Sequence, residues 1–242
     1  MKRPIAVVTG AGQGIGAGIA RRLARDGYEV VILEVDVPRA EAVAHELDGR
    51  ALQCDVSDYA QVEAAAAAIG SVKVLVNNAA VQVHKPVLDC TPEELARVVQ
   101  VNLLGVIYGC KAFAPGMMAN GGGSIVSISS AAAPTAAVGH ASYPAAKAGV
   151  DTLTRQLAQD WGHAQVRVNA VAPGAIQTER NAHRFQGEIY EERLARIPLR
   201  RTGMPADIAD VVSALCSHDM RYVTGQVIYV DGGMSAGAGR GR

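Results

Sequence analysis

The segment from Ile5 to Gly27 constrains this chain more than any other stretch. Ile5-Ala6-Val7-Val8 is a short apolar run with β-branched residues and reads as a buried parallel strand. Thr9-Gly10-Ala11-Gly12-Gln13-Gly14-Ile15-Gly16 follows without a break. Ile15, Ile19 and Leu23 then recur every four residues, with Arg21, Arg22 and Arg25 near the far end and Gly27 beyond. That is an amphipathic helix with cations at its C-terminus and a glycine stop. Strand, glycine turn and helix in this order make an anion site. Backbone N–H groups at the helix start, with Gln13 and Ile15 among the turn residues, face a pyrophosphate that the missing side chains let approach. The spacing is G-x-x-x-G-x-G at Gly10, Gly14 and Gly16, not G-x-G-x-x-G. A purely structural turn is the alternative, and the position straight after a first strand argues against it.

Glu34 ends the next apolar strand, Val30-Val31-Ile32-Leu33, and lies 24 residues past Gly10. An acid about 20 residues after the first glycine accepts hydrogen bonds from the adenosine ribose hydroxyls of a dinucleotide. A carboxylate there repels a 2′-phosphate, and neither position 13 nor position 35 is basic. Arg39 is the nearest downstream cation and is expected on the following helix. The residues therefore favour NAD over NADP, the alternative being a solvated charge at a strand end.

Ser142-Tyr143-Pro144-Ala145-Ala146-Lys147 carries a second constellation. Pro144 suits the first turn of a helix, where its missing N–H is no loss. Residues four apart share a helix face, so the ammonium of Lys147 can sit beside the phenol of Tyr143. A free tyrosine titrates near pKa ~10, and a neighbouring cation lowers that value. The pair is a candidate general acid/base, or else a plain surface pair. Ser130 lies at the end of the strand-like run Ser124–Ser129, 13 residues before Tyr143. Alternation puts Ser129 and Ser130 on opposite faces, so only one should reach the site.

With these residues in hand, the chain resembles the short-chain dehydrogenase/reductase family, in its compact single-domain form, over nearly its whole length. The motifs fall in the family's order: Thr9-Gly-x-x-x-Gly-x-Gly, Asp55-Val56, Asn77-Asn78-Ala79, Asn102, Ser130, Tyr143-x-x-x-Lys147, Asn169 and Pro173-Gly174. The resemblance implies a seven-stranded, Rossmann-like doubly wound parallel sheet in a three-layer α/β/α domain spanning 1–242. It implies Tyr143 as acid/base, Lys147 depressing its pKa and holding the nicotinamide ribose, Ser130 bonding the substrate oxygen, and Asn102 holding a relay water. Asp55 and Val56 would meet the adenine, while Asn77 and Ala79 would line the adenosine side. Pro173, Gly174, Ile176 and Thr178 would hold the nicotinamide. Ala132, His140 and Ala175 are candidate substrate-lining residues, although His140 could equally be a plain loop histidine. The resemblance further implies an NAD-dependent alcohol dehydrogenase or ketone reductase and a homotetramer with one interface on the helices Pro92–Pro115 and Ser142–Trp161 and another on the last strand and its preceding helix. Dihydrodiol oxidation, 3-oxoacyl reduction and a non-catalytic dinucleotide-binding role are the alternatives. Two residues depart from the family pattern: Ala80 stands where the family has glycine, and Glu34 stands where an Asp is common.

The 242 residues suffice for one sizeable core. Hydrophobic residues make up 49% and aromatics only 4%, so that core must be aliphatic. A net charge of +0 gives no field to favour nucleic acid or a membrane. No run of ~18 apolar residues is present, and Met1-Lys2-Arg3-Pro4 leads straight into a strand, so a soluble cytoplasmic protein is expected. Cys54, Cys90, Cys110 and Cys216 are scattered, as are the histidines, so free thiols and no metal site are expected. Thr91-Pro92-Glu93-Glu94 reads as a capping box. Ser57 or Asp55 is expected to cap the alanine-rich helix that ends near Ile69. Residues 179–200 are expected to form a substrate lid, and 235–242 a mobile tail.

Overall fold

Valine- and isoleucine-rich strands alternate with helices along this chain, and a helix between two strands brings them back parallel. A computed structural model describes residues 3–135 and 139–237, for residues 183, 184, 188, 189 and 193 in the backbone alone. The elements run β1 (Ile5–Thr9), α1 (Gly14–Arg25), β2 (Glu29–Glu34), α2 (Val37–Glu46), β3 (Arg50–Gln53), α3 (Tyr59–Ile69) and β4 (Val74–Asn77). There follow α4 (Pro92–Val99), α5 (Gly105–Ala119), β5 (Gly123–Ile128), α6 (Tyr143–Trp161), β6 (Val166–Pro173), α7 (Glu188–Ala195), α8 (Pro205–Cys216) and β7 (Val227–Val230). Among the described residues, seven parallel strands form one sheet in the order β3-β2-β1-β4-β5-β6-β7. The expected doubly wound fold is the observed one.

Strand alternation builds the two outer layers. Ala6 and Val8 face α1, α2 and α8, where Ile19, Leu23, Val43, Ile208 and Leu215 pack. Val7, Leu75 and Ile125 face α3, α5 and α6, where Val62, Phe113, Met117 and Val150 pack. Gly18 lets α1 lie close on α8, since a Cβ there would sit 2.8 Å from the Cβ of Pro205. The strand order reverses between β1 and β4, so their C-terminal ends frame the crevice where ligands bind in such sheets.

Some local expectations are corrected. Asp58, not Ser57 or Asp55, caps α3 by accepting from Ala60 N at 3.0 Å. Asp55 and Ser57 are engaged with each other, through Ser57 N and Oγ at 2.9 and 2.6 Å. The capping box Thr91–Glu94 forms as expected. The helix it opens continues through Pro115 to Ala119, with a π-helical turn at Gln100–Leu104. The buried Ala114 and Met117 hold the turns around Pro115 on the sheet. This 28-residue stretch is apolar enough by composition to cross a membrane, yet half of its apolar window is buried against the rest of the protein, as in a core helix. Of the C-terminal tail, Ser235 N donates to Asp231 Oδ2 at 2.8 Å and Ala236 N to the Gly233 carbonyl at 3.1 Å. Residues 238–242 lie outside the described residues.

Candidate active site

The crevice at the sheet's C-terminal edge is a cleft of about 800 Å³. One end is built by the turn after β1. Gly10 and Gly14 adopt left-handed backbone, φ +65° and +57°, which glycine tolerates without a Cβ penalty. Thr9 Oγ1 accepts from Asn78 N and Ala79 N at 2.9 and 3.0 Å, and Asn78 Nδ2 donates to the carbonyls of Thr9 and Gly10. These bonds lock the turn to the end of β4. A Cβ on Gly10 would lie 2.7 Å from Ala79 Cα, and one on Gly14 would touch Thr178 across the cleft at 3.4 Å. Gly10, Gln13, Gly14, Ile15 and Gly16 all line the cleft, as do Ala79, Pro173, Gly174, Ala175, Ile176 and Thr178. Ala80 lines it too, without left-handed backbone, so its methyl group adds no backbone strain there.

Glu34 points its carboxylate into the same end. Its Oε1 accepts from Val35 N and Asp36 N, at 2.9 and 3.4 Å, and its Oε2 from Gly12 N at 3.2 Å. Arg39 lies on α2 as expected, lines the cleft, and pairs with Asp36 at 3.1 Å. Asp55 and Val56 also line the cleft. Burial alone would raise the Asp55 carboxyl, but hydrogen bonds from Ser57 and from Arg97, whose Nη2 donates to Oδ2 at 3.0 Å, leave it below its ordinary value. Asn77 does not line the cleft. Its side chain is buried beneath the sheet, with Nδ2 directed to Cys110 Sγ and Ser127 Oγ, and its neighbour Asn78 lines the cleft instead.

The other end holds Ser130, Tyr143 and Lys147 together. Ala132 N donates to Ser130 Oγ at 3.1 Å, which turns the serine hydroxyl hydrogen away from its own loop. The side chains of Ser130 and Gln82 lie beside the Tyr143 phenol and favour its ionised form. Lys147 is 1% exposed and donates to the Ile128 carbonyl at 2.6 Å, with its Nζ 5.8 Å from the centre of the Tyr143 ring. Burial holds the Tyr143 phenol above its ordinary value despite these two neighbours, while burial pushes the Lys147 ammonium down to about 8. The expectation that Lys147 depresses the phenol is therefore outweighed here by desolvation, since both groups lie deep in the protein.

Asn102 is fully buried in the π-helical turn, outside the cleft lining; its Nδ2 donates to the Val81 and Val98 carbonyls at 2.8 and 2.9 Å. Its Oδ1 has no partner among the described residues. Ala132 and His140 do not line the cleft either; the His140 ring packs edge-on against His84, which does, with centroids 5.0 Å apart. Ser129 lines the cleft as well as Ser130, so the expected alternation does not keep it out; it is buried, and its Oγ donates to the Lys147 carbonyl at 3.4 Å. Beyond β6, the expected lid region contains a 3₁₀ turn, Glu179–Arg184, and α7; Arg180, Asn181 and Phe185 reach the cleft. Sequence reasoning missed Gln82, His84 and Arg97 as cleft residues. Gln82 and His84 sit in an irregular loop without periodicity, and Arg97 is an ordinary helix-surface cation until the fold brings it to Asp55. The residues present fit a dinucleotide, with a glycine-walled anion cradle at one end, an acid at the adenosine side and the Tyr143 group at the other. Among the described residues, no group of three or more His, Cys, Asp or Glu could hold a metal ion.

Comparison with known proteins accords with this geometry. The family described as enoyl-(acyl carrier protein) reductase matches residues 10–235. An uncharacterized short-chain type dehydrogenase/reductase of Sinorhizobium fredii is 37% identical over 97% of this chain and 98% of its own length. The 3-oxoacyl-(acyl-carrier-protein) reductase FabG of Staphylococcus aureus strain Mu50 is 37% identical over 95% of this chain and 97% of its own. A solved gluconate 5-dehydrogenase from Burkholderia cenocepacia, in complex with NADP and tartrate, is 31% identical, covers 98% of this chain and 97% of its own, and superimposes with a TM-score of 0.92.

Proposed function

The chain belongs to the short-chain dehydrogenase/reductase family of oxidoreductases, and from that premise we propose that it interconverts a secondary alcohol and a ketone with NAD(H). The observation that carries the reading is the meeting of Tyr143, Ser130 and the buried Lys147 at one end of a cleft whose other end presents glycine backbone and Glu34. When bound, the nicotinamide supplies the hydride acceptor or donor. The chain's own residues handle the oxygen and its proton. Ser130 Oγ–H donates to the substrate oxygen, an orientation favoured by the bond it accepts from Ala132 N. In the oxidative direction Tyr143 Oη takes the hydroxyl proton, and in the reductive direction it returns one. The Lys147 ammonium stabilises the phenolate between these events, and Asn102 Oδ1 accepts from a relay water behind it. Thr178 and the Pro173–Ile176 backbone orient the nicotinamide.

Glu34 supports NAD. Its carboxylate is pinned by three backbone donors, and Arg39, a cleft-lining cation beside it, is already paired with Asp36. The NADP held by the gluconate 5-dehydrogenase relative makes the phosphorylated cofactor the specific alternative. On the substrate side, Ala175 and Phe185 give a weakly polar wall that suits a compact substrate, and 3-oxoacyl reduction is the second reading because of the FabG relative. We further propose a cytoplasmic homotetramer. The apolar hollow between α5 and α6, lined by Ala114, Met118, Leu157 and Trp161, supports a subunit contact, and four free thiols support a reducing compartment. The test is nicotinamide reduction, followed by absorbance, with NAD or NADP and a panel of cyclic, aryl, hydroxyacid, sugar and diol substrates. Turnover on one class with NAD is expected. Bound NADH without turnover on any class would refute the catalytic reading.

A further inference from the structure

Asp151 lies one helical turn beyond Lys147 on α6 and has no part in the chemistry above. The residue is 7% exposed, and its Oδ1 is buried without a hydrogen-bond partner among the described residues. A carboxylate left this way is costly unless some charge compensates it. Four groups face it from three elements. On its own helix, Lys147 precedes it by one turn and Arg155 follows by one, with Arg155 Nη1 donating to the Asp151 carbonyl at 3.1 Å. From the end of β5, the Ser129 side chain lies beside the carboxylate, with its hydroxyl directed to the Lys147 carbonyl at 3.4 Å. From β7, Tyr229 lies within its field.

Lys147 has the matching problem. It is buried, and its hydrogen bond to the Ile128 carbonyl goes to a neutral acceptor, which satisfies a donor but does not balance a charge. A buried ammonium without an opposite charge gives up its proton. Its role beneath Tyr143 requires the charged form. Asp151 is the carboxylate whose field acts on it.

We propose that Asp151 is a positioning residue for the proton-transfer pair: one helical turn from Lys147 and buried with it, it is the counter-charge that keeps Lys147 protonated beneath Tyr143. This deepens the reading of Tyr143 and Lys147 as the reacting pair and rests on it. The signs agree. Burial lowers the Lys147 ammonium to about 8 while Asp151 acts to raise it, and burial raises the Asp151 carboxyl while Ser129, Arg155 and Lys147 act to lower it. Neutralising Asp151 therefore makes Lys147 release its proton at a lower pH.

The chain has five lysines, so their side-chain ¹³Cε resonances can be assigned and titrated, with Lys147→Arg identifying the one of interest. In the intact protein the Lys147 midpoint is expected near 8. In Asp151→Asn it should fall by about one pH unit, the effect of one buried opposite charge. Asp151→Glu should recover most of it. Equal midpoints in the wild type and Asp151→Asn would overturn the proposal. If Asp151→Asn does not fold, Asp151→Ser, which also removes the charge, must move the midpoint the same way, and no movement overturns the proposal as well. With an active substrate, the alkaline limb of kcat/KM should move to lower pH in Asp151→Asn, whereas a uniform fall at every pH would mean packing alone. Wild-type silence toward every alcohol would count against the functional reading, while the resonance midpoints decide the role of Asp151 without any substrate.

Discussion

Replacing Glu34 by glutamine isolates the charge at the adenosine end of the cleft. The side chain keeps its length, and its amide oxygen still accepts from one of the donors that now hold the carboxylate, Gly12 N, Val35 N and Asp36 N. What changes is the repulsion felt by a 2′-phosphate. A carboxylate and a phosphate of nearly two charges, about 5 Å apart at an effective dielectric of about 40, repel by roughly 3 kcal/mol, and physiological salt halves this to about 1.6 kcal/mol. NADPH affinity should therefore rise about 15-fold in Glu34→Gln. NADH affinity should fall a few-fold, because a neutral amide accepts from ribose hydroxyls less strongly than a carboxylate does. Dissociation constants from nicotinamide fluorescence, for both cofactors and both proteins, measure the ratio directly. Repeating the titration at high salt should shrink the difference, since part of it is a screened interaction. A selectivity ratio that moves less than about twofold, or wild-type protein that already prefers NADPH, would refute the argument from charge and shift attention to Arg39.

Other perturbations have equally definite outcomes. Tyr143→Phe should lower kcat by about 10²- to 10⁴-fold while leaving NADH binding intact, because it removes the proton-transfer atom and little else; a smaller loss would mean another group carries the proton. Gly10→Ala places a Cβ 2.7 Å from Ala79 Cα on a left-handed backbone, so denaturant titration should show a loss of more than about 1 kcal/mol together with weakened dinucleotide binding. Asn102→Ala leaves the Val81 and Val98 carbonyls without their donor and should cost about 1–3 kcal/mol in the same assay. Ile208→Ala, in the core layer away from the Tyr143 side, should cost about 2–5 kcal/mol and leave KM unchanged, which separates stability from function.

What the sequence made legible was whatever repeats at a fixed spacing or sits at the end of a regular element. The parallel sheet followed from apolar runs alternating with helical periods. The glycine turn, Glu34 at the end of β2 and the Tyr143–Lys147 turn of α6 each occupy a place that local geometry defines. Where the reading failed, the deciding partner lies far along the chain or on an irregular loop. Asn77 and Asn78 are equivalent in composition, and only the point where β4 ends sends one beneath the sheet and the other into the cleft. Asp55 looked like a free acceptor, but Arg97, 42 residues later, already holds one of its oxygens. Gln82 reaches the phenol from a stretch with no period to read. The charge state of the central pair was the least legible feature. Spacing brings an ammonium and a phenol to one helix face, and from that alone a lowered phenol follows. Depth in the fold is what reverses the sign, since desolvation acts on both groups and is set by the whole sheet and both helix layers. A buried lysine in this position thus needs a further charge that the Tyr143-x-x-x-Lys147 motif does not include, and the next turn of the same helix supplies one in Asp151.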